Sequence, residues 1–365
     1  MMLGERRHRK SPTLLQRSCG RCDAGRSRLL TFITTLTIGI AAFLSSGPAA
    51  AQTPVKFLLD FRFEGPSAPF LVPLDKGYYK AEDIEVTIEH ANGSIEPIAK
   101  VASGAYDIGF ADINALIRYR DQNPNSGVKA VFMVYNRPPF AVIGRKSRGI
   151  TKPKDLEGKK LGAPAADGAF ANWRIFAQIN DIDVSKVTVD NVGFPVREPM
   201  LAAGQVDAIT GYSFSSYINL KDRGVPLDDI VLLVMADYGV NLYGNAIIVG
   251  QKFAAEKPDA VKGFLRAYVR GLKETIRTPA SAVESVLKRN ELAKKDVELE
   301  RLRMAIKENI VTPEVQTHGY GAVDMTRLEK SIEQIGLTYE FKAKPKPADI
   351  FDESFLPPEA TRKVN

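Results

Sequence analysis

Two stretches decide the fold: residues 103–112, Ser-Gly-Ala-Tyr-Asp-Ile-Gly-Phe-Ala-Asp, and residues 201–212, Leu-Ala-Ala-Gly-Gln-Val-Asp-Ala-Ile-Thr-Gly-Tyr. In each, an apolar-periodic helical run ends at a glycine, Gly104 or Gly204, where the chain needs a left-handed φ. An Asp follows three residues later and opens a short strand, Ile108–Phe110 or Ala208–Thr210. Each strand leads into a new helix start, and Asp112 is the expected N-cap of the helix over 112–122. A loop of this kind, at the carboxyl end of a parallel strand, faces a crevice.

Outward from these stretches, the same alternation continues. Strands are expected at 55–59, 85–88, 108–110 and 129–135, separated by helices at 68–74, 95–103 and 112–122. A second series follows, with strands at 140–143, 160–162, 187–192, 208–210 and 230–235. This βα order implies mainly parallel sheets with helices on both faces. Two short sheets suit two lobes. After residues 245–249 the chain becomes long charged helices at 258–278, 279–289, 295–308 and 325–335, then a Lys/Pro-alternating stretch, 342–347, that opens an expected extended tail over 342–365.

The 365 residues carry a net charge of +7, with 44% hydrophobic residues. Residues 1–51 hold eight Lys/Arg against Glu5 and Asp23, which leaves the rest of the chain nearly neutral. The body has no electrostatic footprint for nucleic acid. Behind the basic stretch, residues 29–44 form an apolar run too short for a bilayer span, and Ala49-Ala50-Ala51 follows. This is the order of a signal peptide over 1–51, with cleavage expected after Ala51 and export to the periplasm. Both cysteines, Cys19 and Cys22, fall in that leader. There is no Walker loop, no G-x-S-x-G and no H-E-x-x-H, and His90 and His318 stand alone, so no catalytic residue, metal ligand or cofactor is assigned.

The run Gly77-Tyr78-Tyr79-Lys80-Ala81-Glu82-Asp83-Ile84-Glu85-Val86 resembles an element of the periplasmic substrate-binding proteins of ABC importers, in the family for nitrate, sulfonates, taurine and thiamine-pyrimidine precursors. Residues 103–110, 154–162 and 201–208 agree with it in order. The resemblance implies the two-lobed, type II periplasmic-binding-protein fold, α/β in class, with lobe one over 53–137 plus 246–341, lobe two over 138–245 and a ligand cleft between them. It implies a non-enzymatic, monomeric solute-binding component that captures a small organic molecule by lobe closure and passes it to an inner-membrane ABC permease. The ligand is a flat heteroaromatic such as a thiamine-pyrimidine precursor, or a sulfonate or carboxylate. An exported sensor with the same fold is the alternative. A pyrimidine-synthesising enzyme, which in fungal relatives uses a cysteine-rich iron site, is disfavoured because no cysteine follows residue 51.

Candidate ligand contacts are Arg62, Phe63 and Glu64 after the first strand, and Ser94 before a helix start. Asp167 and Phe170 occupy the equivalent position in lobe two. Asp112 and Asn245 are polar candidates, and Tyr135, Tyr212 and Tyr243 are candidates for stacking. Pyrimidine-binding members resemble residues 59–61 and 67–69, but Ser67 stands where a His is often found.

Overall fold

The computed structural model describes residues 51–364. The expected signal peptide, with its basic and apolar segments and both cysteines, falls on residues outside those described, up to residue 50. Among the described residues, no helix is long and apolar enough to cross a membrane.

Among the described residues, ten strands form two five-stranded sheets. The first contains β1 (Thr53–Leu59), β2 (Ile84–His90), β3 (Ile108–Asp112), β4 (Lys129–Met133) and β10 (Asn245–Val249), in the order β2-β1-β3-β10-β4. The second contains β5 (Phe140–Arg145), β6 (Lys160–Ala163), β7 (Thr188–Asn191), β8 (Ala208–Tyr212) and β9 (Ile230–Val234), in the order β7-β6-β8-β5-β9. Both have the same design. Parallel pairs β1·β2, β1·β3, β6·β7 and β6·β8 are joined to an antiparallel fourth member, β10 in the first sheet and β5 in the second. These antiparallel members are the strands that arrive from the other sheet, so each enters its sheet from the opposite end.

The central strands are apolar because both faces are covered, whereas the edge strands β2 and β7 carry exposed polar residues. β3, β10 and most of β5 are buried along their length, with Phe110, Ile247 and Ile143 at 2% exposure or less. The amphipathic helix Pro258–Arg277 buries Phe264, Leu265 and Tyr268 against the first sheet. Phe264 lies 5.1 Å from Phe57, ring centre to ring centre. Gly104 and Gly204 adopt φ of 75° and 72°, as their positions after helices require. Asp112 caps the helix Ile113–Gln122 by accepting from the Asn114 amide.

The expected extended tail is instead packed. Short helices form at Pro347–Ile350 and Glu359–Arg362, and Ile350 and Phe351 are buried at 0% and 2% exposure. Phe351 bridges to Ala130 on β4, and the Asp352 amide donates to the Ala130 carbonyl at 2.9 Å. β4 is an edge strand, and the apolar pair 350–351 covers that edge. The Lys/Pro alternation concealed this pair.

Candidate functional site

Loops at the carboxyl ends of the parallel strands converge between the two sheets. From the first side come Asp60, Phe61, Arg62 and Glu64 after β1, Gly93 and Ser94 after β2, Phe110 on β3, and Tyr135 after β4. From the second come Asp167 after β6, Phe194 and Arg197 on the helix Phe194–Ala202 after β7, and Tyr212, Phe214 and Ser215 at the end of β8 and in the helix Ser213–Asp222. They enclose a cleft of about 590 Å³, its mouth included.

The two sides touch directly. Phe61 and Phe194 meet with ring centres 5.1 Å apart, Arg62 lies over Phe61, and Arg197 lies over Phe194. Tyr212 donates to Asn245 Oδ1 at 2.7 Å, and Asn245 Nδ2 donates to Asp60 Oδ2 at 2.8 Å. This chain joins one side to the other and fixes the Asn245 amide. Gly93, at φ 136°, permits the closest backbone approach, since a Cβ there would meet the Ala166 carbonyl oxygen at 2.5 Å.

The arginines of the site are neutralised. Arg197 is buried and held by Glu198 at 2.6 Å, with Asp167 at 3.8 Å. Burial opposes its charge, but those two carboxylates outweigh burial and keep the guanidinium protonated. Arg62 pairs with Glu64 at 2.9 Å, and Arg301 pairs with Glu64 at 3.2 Å and Glu298 at 3.1 Å. Asp60 differs: among the described residues no lysine or arginine pairs with it. Loss of solvation and then the Glu64 charge push its carboxyl up to about 7, against the hydrogen bonds from Asn245 and the backbone. The cleft therefore offers hydrogen-bond acceptors and aromatic faces and, among the described residues, no unpaired cation to receive an anion.

Of the residues singled out from the sequence, the structure brings Arg62, Glu64, Ser94, Tyr135, Asp167 and Tyr212 to the cleft wall. Ser94 does not cap the following helix, which begins at Glu96, so its buried hydroxyl is left to the cleft. Asn245 stands directly behind Asp60 and Tyr212. Four others face elsewhere. Phe63 packs edge-on against His90 at 5.3 Å, and Phe170 packs on the core. Asp112 is buried at the helix cap, its carboxyl raised to about 6 by burial. Tyr243 donates to Glu314 at 2.6 Å beneath Arg327. Asp60 and Phe61, in the same loop as Arg62, were missed, as were Arg197 and Ser215, whose one sequence signal is that each sits in the first turn of a helix that follows a strand of the second sheet.

Comparison with known proteins agrees with this architecture. The periplasmic aliphatic sulphonate binding protein SsuA of Escherichia coli superimposes with a TM-score of 0.63 at 11% identity, over 86% of this chain and 92% of that one. The riboflavin-binding protein RibY of Chloroflexus aurantiacus is 28% identical over 60% of this chain and 61% of its own length, so the match spans less than two thirds of that relative. The formylaminopyrimidine-binding protein of Halalkalibacterium halodurans is 24% identical over 67% of this chain and 72% of its own. The 4-amino-5-hydroxymethyl-2-methylpyrimidine phosphate synthase of Schizosaccharomyces pombe is also 24% identical, over 64% and 68%. The model of the family described as NMT1/THI5 like matches residues 66–282, and with the periplasmic-binding-protein fold around its cleft the chain belongs to that family.

Proposed function

We propose that this protein is an exported solute-binding component of an ABC importer, which takes up a flat nitrogen heteroaromatic between lobe one (53–137 plus 246–341) and lobe two (138–245). The observation that carries this reading is the cleft's polarity. Every arginine at its wall is paired with a carboxylate, while Asp60 faces it beside aromatic rings without a cationic partner. A sulfonate or nitrate needs an unpaired cation or several free donors. An amino-substituted ring needs an acceptor for its N–H groups and aromatic surface to stack on, which Asp60 and Phe61, Phe194 and Tyr212 supply. The named ligands of the riboflavin- and formylaminopyrimidine-binding relatives are of this chemical kind. Arg62, Glu64, Ser94, Tyr135, Asp167 and Tyr212 form the remaining contacts, and the monomer closes around the ligand and presents it to a permease on the periplasmic side.

The synthase relatives favour a second reading, in which the cleft holds a pyrimidine as the product of a reaction. The absence of cysteine after residue 51 speaks for binding, since the iron site expected of such enzymes is rich in cysteine.

Thermal unfolding with 4-amino-5-hydroxymethyl-2-methylpyrimidine, riboflavin, taurine and nitrate tests the proposal. A ligand at 100 times its Kd stabilises by about 2.7 kcal/mol. Stabilisation is expected from a heteroaromatic and not from taurine or nitrate. Stabilisation by the anions alone overturns the ligand class, and release of a new pyrimidine by the purified protein overturns the binding reading.

A further inference from the structure

The helix Met325–Ile335 lies beyond the residues that the family model matches. It runs alongside the connector 235–244, which carries the chain from β9 back to β10. Past the 3-10 turn Met235–Tyr238, residues 239–244 of that connector belong to no helix or strand. Their peptide groups need partners, and side chains at three positions of one helical face provide them. Arg327 Nη2 donates to the Leu242 carbonyl at 2.8 Å, and the Ser331 hydroxyl shares its one proton between the Arg327 carbonyl of its own helix at 2.9 Å and the Asn241 carbonyl at 3.2 Å. Gln334 makes two bonds, accepting from the Asn241 amide and donating to the Gly239 carbonyl, each at 2.8 Å. The spacing i, i+4, i+7 places all three on one stripe.

The same arginine reaches the other connector, 134–139. Arg327 Nη2 also donates to the Asn136 carbonyl at 3.0 Å, so one planar guanidinium bridges both crossings. Glu314 Oε2 holds its other nitrogen at 2.7 Å, and the Tyr243 ring lies 3.9 Å from it. Asn136 is held further by Thr312 Oγ1 at 2.7 Å and by Glu314 Oε1 at 2.8 Å. Toward the second sheet, the first connector continues past its anchors into Pro138 and Pro139, and the other reaches its last anchored carbonyl at Gly239, whose φ is 88°. There the crossings hold to each other through the Arg137–Asp237 ion pair.

We propose that Arg327, Ser331 and Gln334 are positioning residues for ligand capture, a splint that clamps the first-sheet ends of both connectors and confines lobe rotation to residues 138–140 and 235–239, up to the last clamped carbonyl. This rests on the reading that the lobes open and close. A hinge pinned on one side rotates about a defined axis, so the Phe61–Phe194 contact and the Tyr212–Asn245 bond re-form in register at each closure. Without the splint both connectors bend along their whole length, and the lobes meet in many arrangements.

The test uses the ligand-free chain. With Cys19 and Cys22 replaced by serine, and no cysteine after residue 51, exposed Ala99 and Val184, one on each lobe, can be replaced by cysteine, spin-labelled, and their separation measured by pulsed electron resonance. Arg327→Ala and the double variant Ser331→Ala/Gln334→Ala are each expected to broaden the distance distribution toward longer values. Backbone hydrogen exchange at 239–243 should accelerate in both, and exposed Lys330→Ala, on the same helix, should match the parent. If Arg327→Ala fails to fold, the double variant decides. An unchanged distribution in a folded splint variant overturns the proposal, as does equal broadening in Lys330→Ala. Because no ligand is added, a failure to find a bound solute leaves this result standing, and solute binding with an unchanged distribution removes the splint alone.

Discussion

Asp60 shows how one residue's environment sets both stability and selectivity. Its folded-state carboxyl titrates at about 7, above the ordinary value of 3.8 for an aspartate, because burial disfavours the charge and Glu64 adds repulsion. A raised folded pKa means that this group's favourable contribution is complete below about 4 and is lost as pH rises through about 7. Asp60→Asn keeps an acceptor for Asn245 and removes the charge. The variant should be more stable than the parent at pH 8, by about 1–2 kcal/mol after allowance for partial solvation, and the two should converge near pH 4. Denaturant melts at the two pH values check the sign, and a parent that gains stability from pH 4 to 8 relative to the variant refutes the assignment. For a neutral heteroaromatic, affinity should rise through pH 7 as the carboxylate forms.

Among the elements, the two helix-ending glycines and the cleft glycine separate backbone strain from packing. A Cβ at Gly104 would touch nothing within 4 Å, so Gly104→Ala suffers only its left-handed φ. The expected loss is about 1 kcal/mol of unfolding free energy, with no change in ligand affinity. At Gly93 the Cβ would strike the Ala166 carbonyl, which belongs to the opposite side of the cleft. Gly93→Ala should therefore weaken binding of any confirmed ligand by tenfold or more, about 1.4 kcal/mol, on top of a ligand-free stability loss of about 1 kcal/mol from its own positive φ of 136°. Calorimetric titration beside melting curves reads both. Equal affinity in Gly93→Ala and the parent would show that the two sides do not need this approach for binding. The glycine–aspartate strand entries were legible because φ > 0 leaves a residue signature. The use of Gly93 was not, because it depends on a residue 73 positions away in the chain.

The whole molecule makes the C-terminal segment part of the first sheet's support. Removal of residues 342–365 uncovers the β4 edge and strips Ile350 and Phe351 from the core. Each such side chain contributes about 1.5–3 kcal/mol by burial, so the truncated protein should lose a few kcal/mol and become more prone to self-association. Unfolding and light scattering of the truncated chain give the answer, and unchanged stability would mean that the tail rests on the sheet without supporting it. Sequence by itself determined the alternating strands and helices, the aromatic loops at strand ends and the nearly neutral charge of the chain after a basic first 51 residues, because periodicity, glycine placement and charge are local properties, while the embedding of the second sheet within the first was implied only by the family resemblance. It did not determine which way those loops turn. Phe63 and Phe61 are two residues apart, yet one joins the core and the other meets Phe194. The paired arginines, the unpaired Asp60 and the three-residue stripe on the helix 325–335 came only from tertiary structure. Asp60 and the helix stripe take partners more than 80 residues away, and although Arg62 and Arg197 pair with near neighbours in the chain, Glu64 and Glu198, their meeting at one cleft wall is set by packing of the whole chain rather than by any short run of it.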